Sequence, residues 1–339
     1  MLRPDISFDG GDLDCGNGLL LMIRRHIDPL QPGQLLEILS SEAAVDEELP
    51  AWCRMTGNEL VAFTREGKRR SFLVCKGNLA DRKVAAAPRD TAYAAKATTA
   101  TVPTFAVKLP PAAPAPAIAP LSVMGIGSWP RPRWMLDAIH EHAAGRLGEQ
   151  EFQATADDAV RLAVAAQLRA GAHVVSDGEQ RRDSYASFVG ARLDNCQLIP
   201  LTDLLPLVDD PEHFAAELRA LDVPAQDVRH PAVFGPLGRS RPLAVHELEF
   251  AKTLTKAPIK VALPGPYLLT RTMWLECVSD RAYASRETLA EDIVRVLHEE
   301  LCFLLAGGAA LVQFDEPVLS EVVFTGAKQA RSFVQGVDY

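Results

Sequence analysis

AHVVSDGEQ, residues 172–180, decides how the larger part of this chain folds. Its apolar run, Val174 and Val175, leads straight into Ser176, Asp177, Gly178 and Glu179. A strand buried on both faces reads this way when its C-terminal end opens onto a polar rim. The pattern recurs in LSVMGIGSWP (121–130), IKVALPGPY (259–267) and ALVQFDEPV (310–318). Between these strands the period becomes helical. Ala154 to Ala170 carries Val160, Ala163, Val164 and Leu168 on one side and is closed by Gly171. Ser285 caps a helix bearing Leu289, Ile293, Val296, Leu297, Leu301 and Leu304, which stops at Gly307 and Gly308.

Strands alternating with amphipathic helices imply a parallel sheet with right-handed crossovers. Polar residues at each strand's C-terminal end imply a (β/α) barrel whose site lies on that rim. The expected fold class is therefore α/β: a partial (β/α)8 TIM-type barrel over residues 121–339, truncated about halfway. Four strands are legible there, against the eight and roughly 250 residues of a closed barrel.

Working outward, residues 85–120 are rich in Ala, Pro and Thr and lack an amphipathic period, which predicts a semi-extended linker. Residues 1–84 carry a different pattern. DISFDG, GLLLMIRRHI, QLLEILSS, VDEELPAWCRMTG, NELVAFTREG and RRSFLVCKG alternate in period. They predict a small two-layer α/β sandwich in the order β-α-β-α-β-β.

Composition narrows the function classes. The formal charge is −9, without a long Lys/Arg run, so a nucleic acid is not an expected partner. Apolar runs are interrupted well before the ~20 residues of a membrane span, and no membrane partner is expected. Six cysteines without a C-x-x-C pair, behind a charged opening segment, point to a reduced, cytoplasmic setting.

The strand ends place Ser128, Asp177, Glu179, Asp315 and Glu316 around one rim, where a carboxylate can hold an ammonium through a charge-assisted hydrogen bond. Two local roles compete: Glu179 can pair with Arg181 or Arg182, and Asp315 can cap the turn before Pro317. Arginines recur in the rim loops, and Arg131, Arg181, Arg182 and Arg239 are candidates for an anionic substrate tail, or for pairing with neighbouring acids. No Cys or His follows Cys302, and Cys196, Cys277 and His298 lack the spacing of metal ligands. Cys53, Cys75, Cys277 and Cys302 read as core residues.

Taken together, GIGSWPRPRW, VVSDGEQRRDSYASFVGARLDN, KVALPGPYLLTRTMW and ALVQFDEPVL resemble, in order and spacing, the first half of the catalytic barrel of the cobalamin-independent methionine synthase family. The resemblance implies zinc-dependent transfer of a methyl group from a folate-like donor to a homocysteine-like thiol. It also implies that Ile126, Gly127, Ser128, Glu179 and Asp315 hold the amino acid. The family's zinc ligands lie on later strands, so no metal ligand and no confident catalytic residue is expected here. Epoxyalkane:coenzyme M transferases share this barrel type.

The N-terminal stretch from Asp9 to Lys76 resembles TusA/SirA-like sulfur carriers, whose reactive cysteine opens a helix. Cys15 occupies that place, with Cys-Gly-Asn-Gly where the family has Cys-Pro-x-Pro. A sulfur relay through Cys15, or a non-catalytic binding role, is the competing function. A half-barrel leaves edge strands unpaired, so an oligomer, or a missing C-terminal half, is expected.

Overall fold

The computed structural model describes residues 2–14, 18–82, 107–185, 187–207, 229–275, 279–280, 282–317 and 319. Cys15, Cys277, residues 85–106 of the expected linker and residues 320–339 lie outside the described residues.

The N-terminal unit runs β1 (Ile6–Asp9), α1 (Leu19–Ile27), β2 (Leu35–Ser40), α2 (Val45–Thr56), β3 (Glu59–Glu66) and β4 (Arg69–Cys75). Its sheet order is β1-β2-β4-β3. β1 and β2 are parallel because α1 carries the chain across between them, and the other pairs are antiparallel. Period-2 alternation sends Leu36, Ile38, Phe72 and Val74 to one face. There they pack against Leu19, Ile23 and Ile27 of α1 and Leu49, Trp52 and Cys53 of α2. Gly57, at φ 70°, ends α2 in a left-handed turn.

The second unit contains α3 (Arg133–Ala143), α4 (Glu149–Arg169), α5 (Ser187–Gly190), β5 (Asp194–Pro200), β6 (Arg229–Gly238), α6 (Val245–Leu254), β7 (Lys260–Pro264), α7 (Pro266–Met273), α8 (Arg286–Ala306) and β8 (Leu311–Asp315). Parallel contacts run from Met124 to Val174, from Val175 to Ile259, and then along β7 and β8 in full register from Lys260–Leu311 to Pro264–Asp315. The four segments thus lie side by side in chain order, and among the described residues they do not close into a barrel. A core of Val160, Val164, Val175, Val261, Leu263, Ile293, Val296 and Leu297 joins this arc to α4 and α8. Ser285 starts α8 with a reciprocal capping box involving Thr288.

Two expectations are corrected. The first two strands of the arc are single bridges, at Met124 and at Val174–Val175, because Gly127 and Gly178 turn the chain away within three residues. The unit is not all parallel: β5 and β6 form an antiparallel pair. Pro231, Gly235 and Pro236 had hidden β6 from a propensity reading. Residues 107–120, the described part of the expected linker, hold no helix or strand, and the Ala113 N–H donates to the Leu305 carbonyl at 3.1 Å.

Candidate functional site

At the C-terminal ends of the arc the backbone makes abrupt turns. Gly127 has φ 151°, and a Cβ there would collide with a carboxylate oxygen of Glu179 and touch Ala262 at 3.0 Å. Glycine at 127 is therefore what lets the first strand end lie against Glu179. Glu179 itself sits at φ 56°, a left-handed conformation that costs a side-chain-bearing residue roughly 1 kcal/mol or more. Its N–H donates to Asp177 Oδ1 at 3.0 Å, and its carbonyl accepts from Arg131 Nη2 at 3.0 Å, which together hold it there. The Trp129 N–H donates to the Gly178 carbonyl at 3.0 Å, so Ser128 is anchored on its C-terminal side to the same turn.

Asp315 ends β8 beside this turn. Its carbonyl accepts from the Gly265 N–H at 2.8 Å and from the Tyr185 hydroxyl at 2.9 Å. Its carboxylate accepts from Gln313 Nε2 at 2.5 Å, and the same amide donates to the Ile126 carbonyl at 3.0 Å. Ile126, Gly127, Glu179 and Asp315 are thus linked through direct contacts or a single side chain, with the exposed Ser128 next in sequence to Gly127. Ile126 is 72% exposed, so its side chain is free to meet a ligand.

The electrostatics follow from burial. Burial, with Glu247 nearby, pushes Asp177 up to about 6 against the pull of Arg182. Its Oδ2 is buried without a partner. Burial also raises Glu179, opposed by Arg182 and assisted by Asp177, Glu247 and Asp315. Tyr185 is pushed well above its ordinary range by burial and by Asp315, so it remains a hydrogen-bond donor.

Three of the four arginines expected to meet an anionic tail are committed within the chain. Arg182 is 2% exposed, donates to both Glu247 oxygens and to the Ala262 carbonyl, and lies over Phe188 at 4.0 Å. Arg181 pairs with Asp157 and donates to Gln153 at 3.1 Å. Arg239 pairs at 2.5 Å with Glu300, whose carboxylate also caps α6 through the N–H groups of Leu243, Ala244 and Val245. For Arg181, Arg182 and Arg239 the structure thus shows pairing with acids, the second of the two roles open to them from the sequence. Arg131 is the one at the turn itself, donating to the Glu179 and Arg182 carbonyls while its Nε is buried without a partner.

Glu316, the other rim acid, is a cap. It accepts from the Tyr267 and Leu268 N–H groups at 2.7 and 2.8 Å, and Gly265 has no room for a Cβ because the Glu316 carboxylate passes there. Lys260, Gln313, Glu247 and Tyr185 escaped the sequence reading as site residues. A lysine opening an otherwise apolar strand was the signal available for the first. Among the described residues, no group of three His, Cys, Asp or Glu side chains is placed to hold a metal. Nor is any helix there long and apolar enough to cross a membrane.

Comparison with known proteins adds the following. Residues 214–337 match the family model for the catalytic domain of cobalamin-independent synthase, and residues 18–76 match that for the sulfurtransferase TusA. A methionine synthase from Sulfurisphaera tokodaii is 30% identical over 195 residues, 57% of this chain and 51% of the relative. One from Saccharolobus solfataricus is 28% identical over 217 residues, 63% of this chain and 58% of the relative. The chain spans about half the length of these curated relatives. A solved B12-independent methionine synthase from Shewanella sp. W3-18-1, in complex with selenomethionine, aligns with TM-score 0.44 and 28% identity, covering 61% of this chain and 55% of that one.

Proposed function

We propose that the second unit is the amino-acid-holding half of a (β/α)8-type thiol methyltransferase, which transfers a methyl group from a folate-like donor to homocysteine. The observation that carries this reading is the joining of Ile126, Gly127, Glu179 and Asp315 at one mouth, through Gln313 and the close approach of Gly127 to Glu179. In this reading the substrate ammonium lies between Glu179 and Asp315, each charge-assisted bond contributing about 1.5–3 kcal/mol. An incoming cation also favours ionised Glu179, whose proton affinity is raised in the free site. The Ile126 side chain and the exposed Ser128 supply the remaining contacts.

Zinc is the metal of the family resemblance, and it supplies thiolate activation when bound. Zinc takes Cys, His and carboxylate donors in threes or fours. The described residues bring no three of these together, so they do not fit a zinc centre and no step is routed through one. The part assigned to this chain is binding and orientation.

Calorimetric titration with L-homocysteine tests the reading. Asp315→Asn and Glu179→Gln should each weaken binding by about tenfold or more, the equivalent of roughly 1.4 kcal/mol. The des-amino analogue 4-mercaptobutyrate should bind the unaltered chain no better than homocysteine binds Asp315→Asn. Equal affinity for the two thiols would sink the reading.

A further inference from the structure

Lys260 begins β7, a strand whose five residues are all buried. An ammonium in such a place is costly unless its protons find acceptors. Lys260 Nζ finds three, two on the 125–126 turn and one on β8: the Gly125 carbonyl at 2.5 Å, the Ile126 carbonyl at 2.7 Å and Gln313 Oε1 at 2.8 Å. Since an ammonium only donates, the Gln313 amide must turn its oxygen to Lys260 and its nitrogen outward. That nitrogen reaches the Ile126 carbonyl and Asp315 Oδ1. The network therefore has one self-consistent polarity, running from Lys260 through Gln313 to Asp315.

We propose that Lys260 is the positioning residue of the site: it clamps the 125–126 carbonyls directly and the Asp315 carboxylate through Gln313, so that both sides of the mouth hold one geometry before a ligand arrives. The ligand's identity rests on the function proposed above, whereas the clamp is a property of the free protein. A simple charge-balancing role makes the opposite prediction. Removing a cation beside Glu179 and Asp315 leaves the mouth more negative, which by itself tightens an ammonium ligand. Removing a clamp loosens the mouth and weakens that ligand.

The full chain carrying Lys260→Met is the test, with Gln313→Glu as a second variant. Gln313→Glu keeps an acceptor for Lys260 but loses the donor to Asp315 and places a like charge beside it. In the unliganded protein, hydrogen exchange at the Trp129 amide should quicken by about tenfold in either variant, while the Phe72 amide in β4 stays unchanged. Binding of L-methionine should weaken by about tenfold. Unchanged exchange at Trp129, or tighter amino-acid binding in Lys260→Met, overturns the proposal. Faster exchange in a protein that binds no amino acid in any form supports the clamp and removes the function assigned to the mouth. If Lys260→Met does not fold, Gln313→Glu decides by the same two readouts.

Discussion

Around β2 and β4 the buried face is Leu36, Ile38, Phe72 and Val74, and Arg70 is the one buried charge of that unit among the described residues. Around β7 the interior holds Asp177, Glu179, Arg182, Glu247, Lys260 and Glu300. Both units are built from strands and amphipathic helices, yet the first is held by apolar contact and the second also by buried ions that must find one another. Apolar packing tolerates small changes in shape, but a buried charge that loses its partner is left with its full desolvation cost. Buried charge is thus scarce in the first unit and concentrated around β7 in the second, a concentration of the kind that functional and structural ion networks both show.

The sharpest way to break that contrast is at Arg182. Arg182→Met leaves Glu247, 2% exposed, without its partner, and should cost about 3–5 kcal/mol in urea unfolding. The double variant Arg182→Met/Glu247→Leu should cost clearly less than the single one, because Glu247 is then no longer stranded and only the longer 3.7 Å pair of Arg182 with Glu179 is lost. If the double variant loses as much as the single, buried ion pairing is not what distinguishes this unit.

The same contrast explains what could be read from the amino acids alone. Val174–Val175 before Asp177, and Ser285 and Gly307 around α8, declare themselves locally, because strand burial and helix ends depend on near neighbours in sequence. The partners of Arg182 and Arg239 do not, since Glu247 and Glu300 lie 65 and 61 residues away on separate helices. Only the assembled arc turns these arginines from candidates for a substrate tail into counter-ions. Glu316 was legible as a rim acid, but its use as a cap for α7 depends on β7 and β8 lying in register. β5 and β6 were missed because prolines and a glycine inside β6 argue locally against a strand.

A smaller effect, of opposite sign, is expected at Asp177. Burial and Glu247 raise it from 3.8 to about 6. The folded chain therefore binds this proton more tightly than the unfolded one. Its contribution is fully present below about pH 4 and is lost as pH rises through 6. At pH 7 the ionised group costs on the order of 3 kcal/mol, from roughly two units at 1.36 kcal/mol each. Asp177→Asn should accordingly be the more stable protein at pH 7, with the difference from the unaltered chain shrinking toward pH 4. His230 and His246, lowered to about 4 and about 3 mainly by burial, add an acid-side loss. That loss is common to both proteins and cancels in the difference. Thermal unfolding from pH 4 to 8 measures it, and a variant less stable than the parent at pH 7 would mean that Asp177 is held by attraction that outweighs its burial.

The contrast also presumes that the units stand apart, and the smallest expected effect tests that. Arg24 Nε of α1 lies 2.5 Å from Asp203 Oδ2, Gln197 Nε2 donates to the Arg24 carbonyl and to Asp28, and Arg25 Nη1 donates to the Phe234 carbonyl at 3.0 Å. Arg24 also lies over Trp52 at 5.3 Å, so Asp203→Ala is the cleaner change, because it spares that contact. A largely buried pair of this kind at the edge of a unit couples by about 1 kcal/mol or somewhat more, less at high salt. Asp203→Ala should shift the urea midpoint of β7–β8 exchange toward lower urea and separate it from that of β1–β4. Coincident midpoints in both proteins would mean that the contact carries no coupling, and that the apolar and ionic units unfold together for a reason other than this pair.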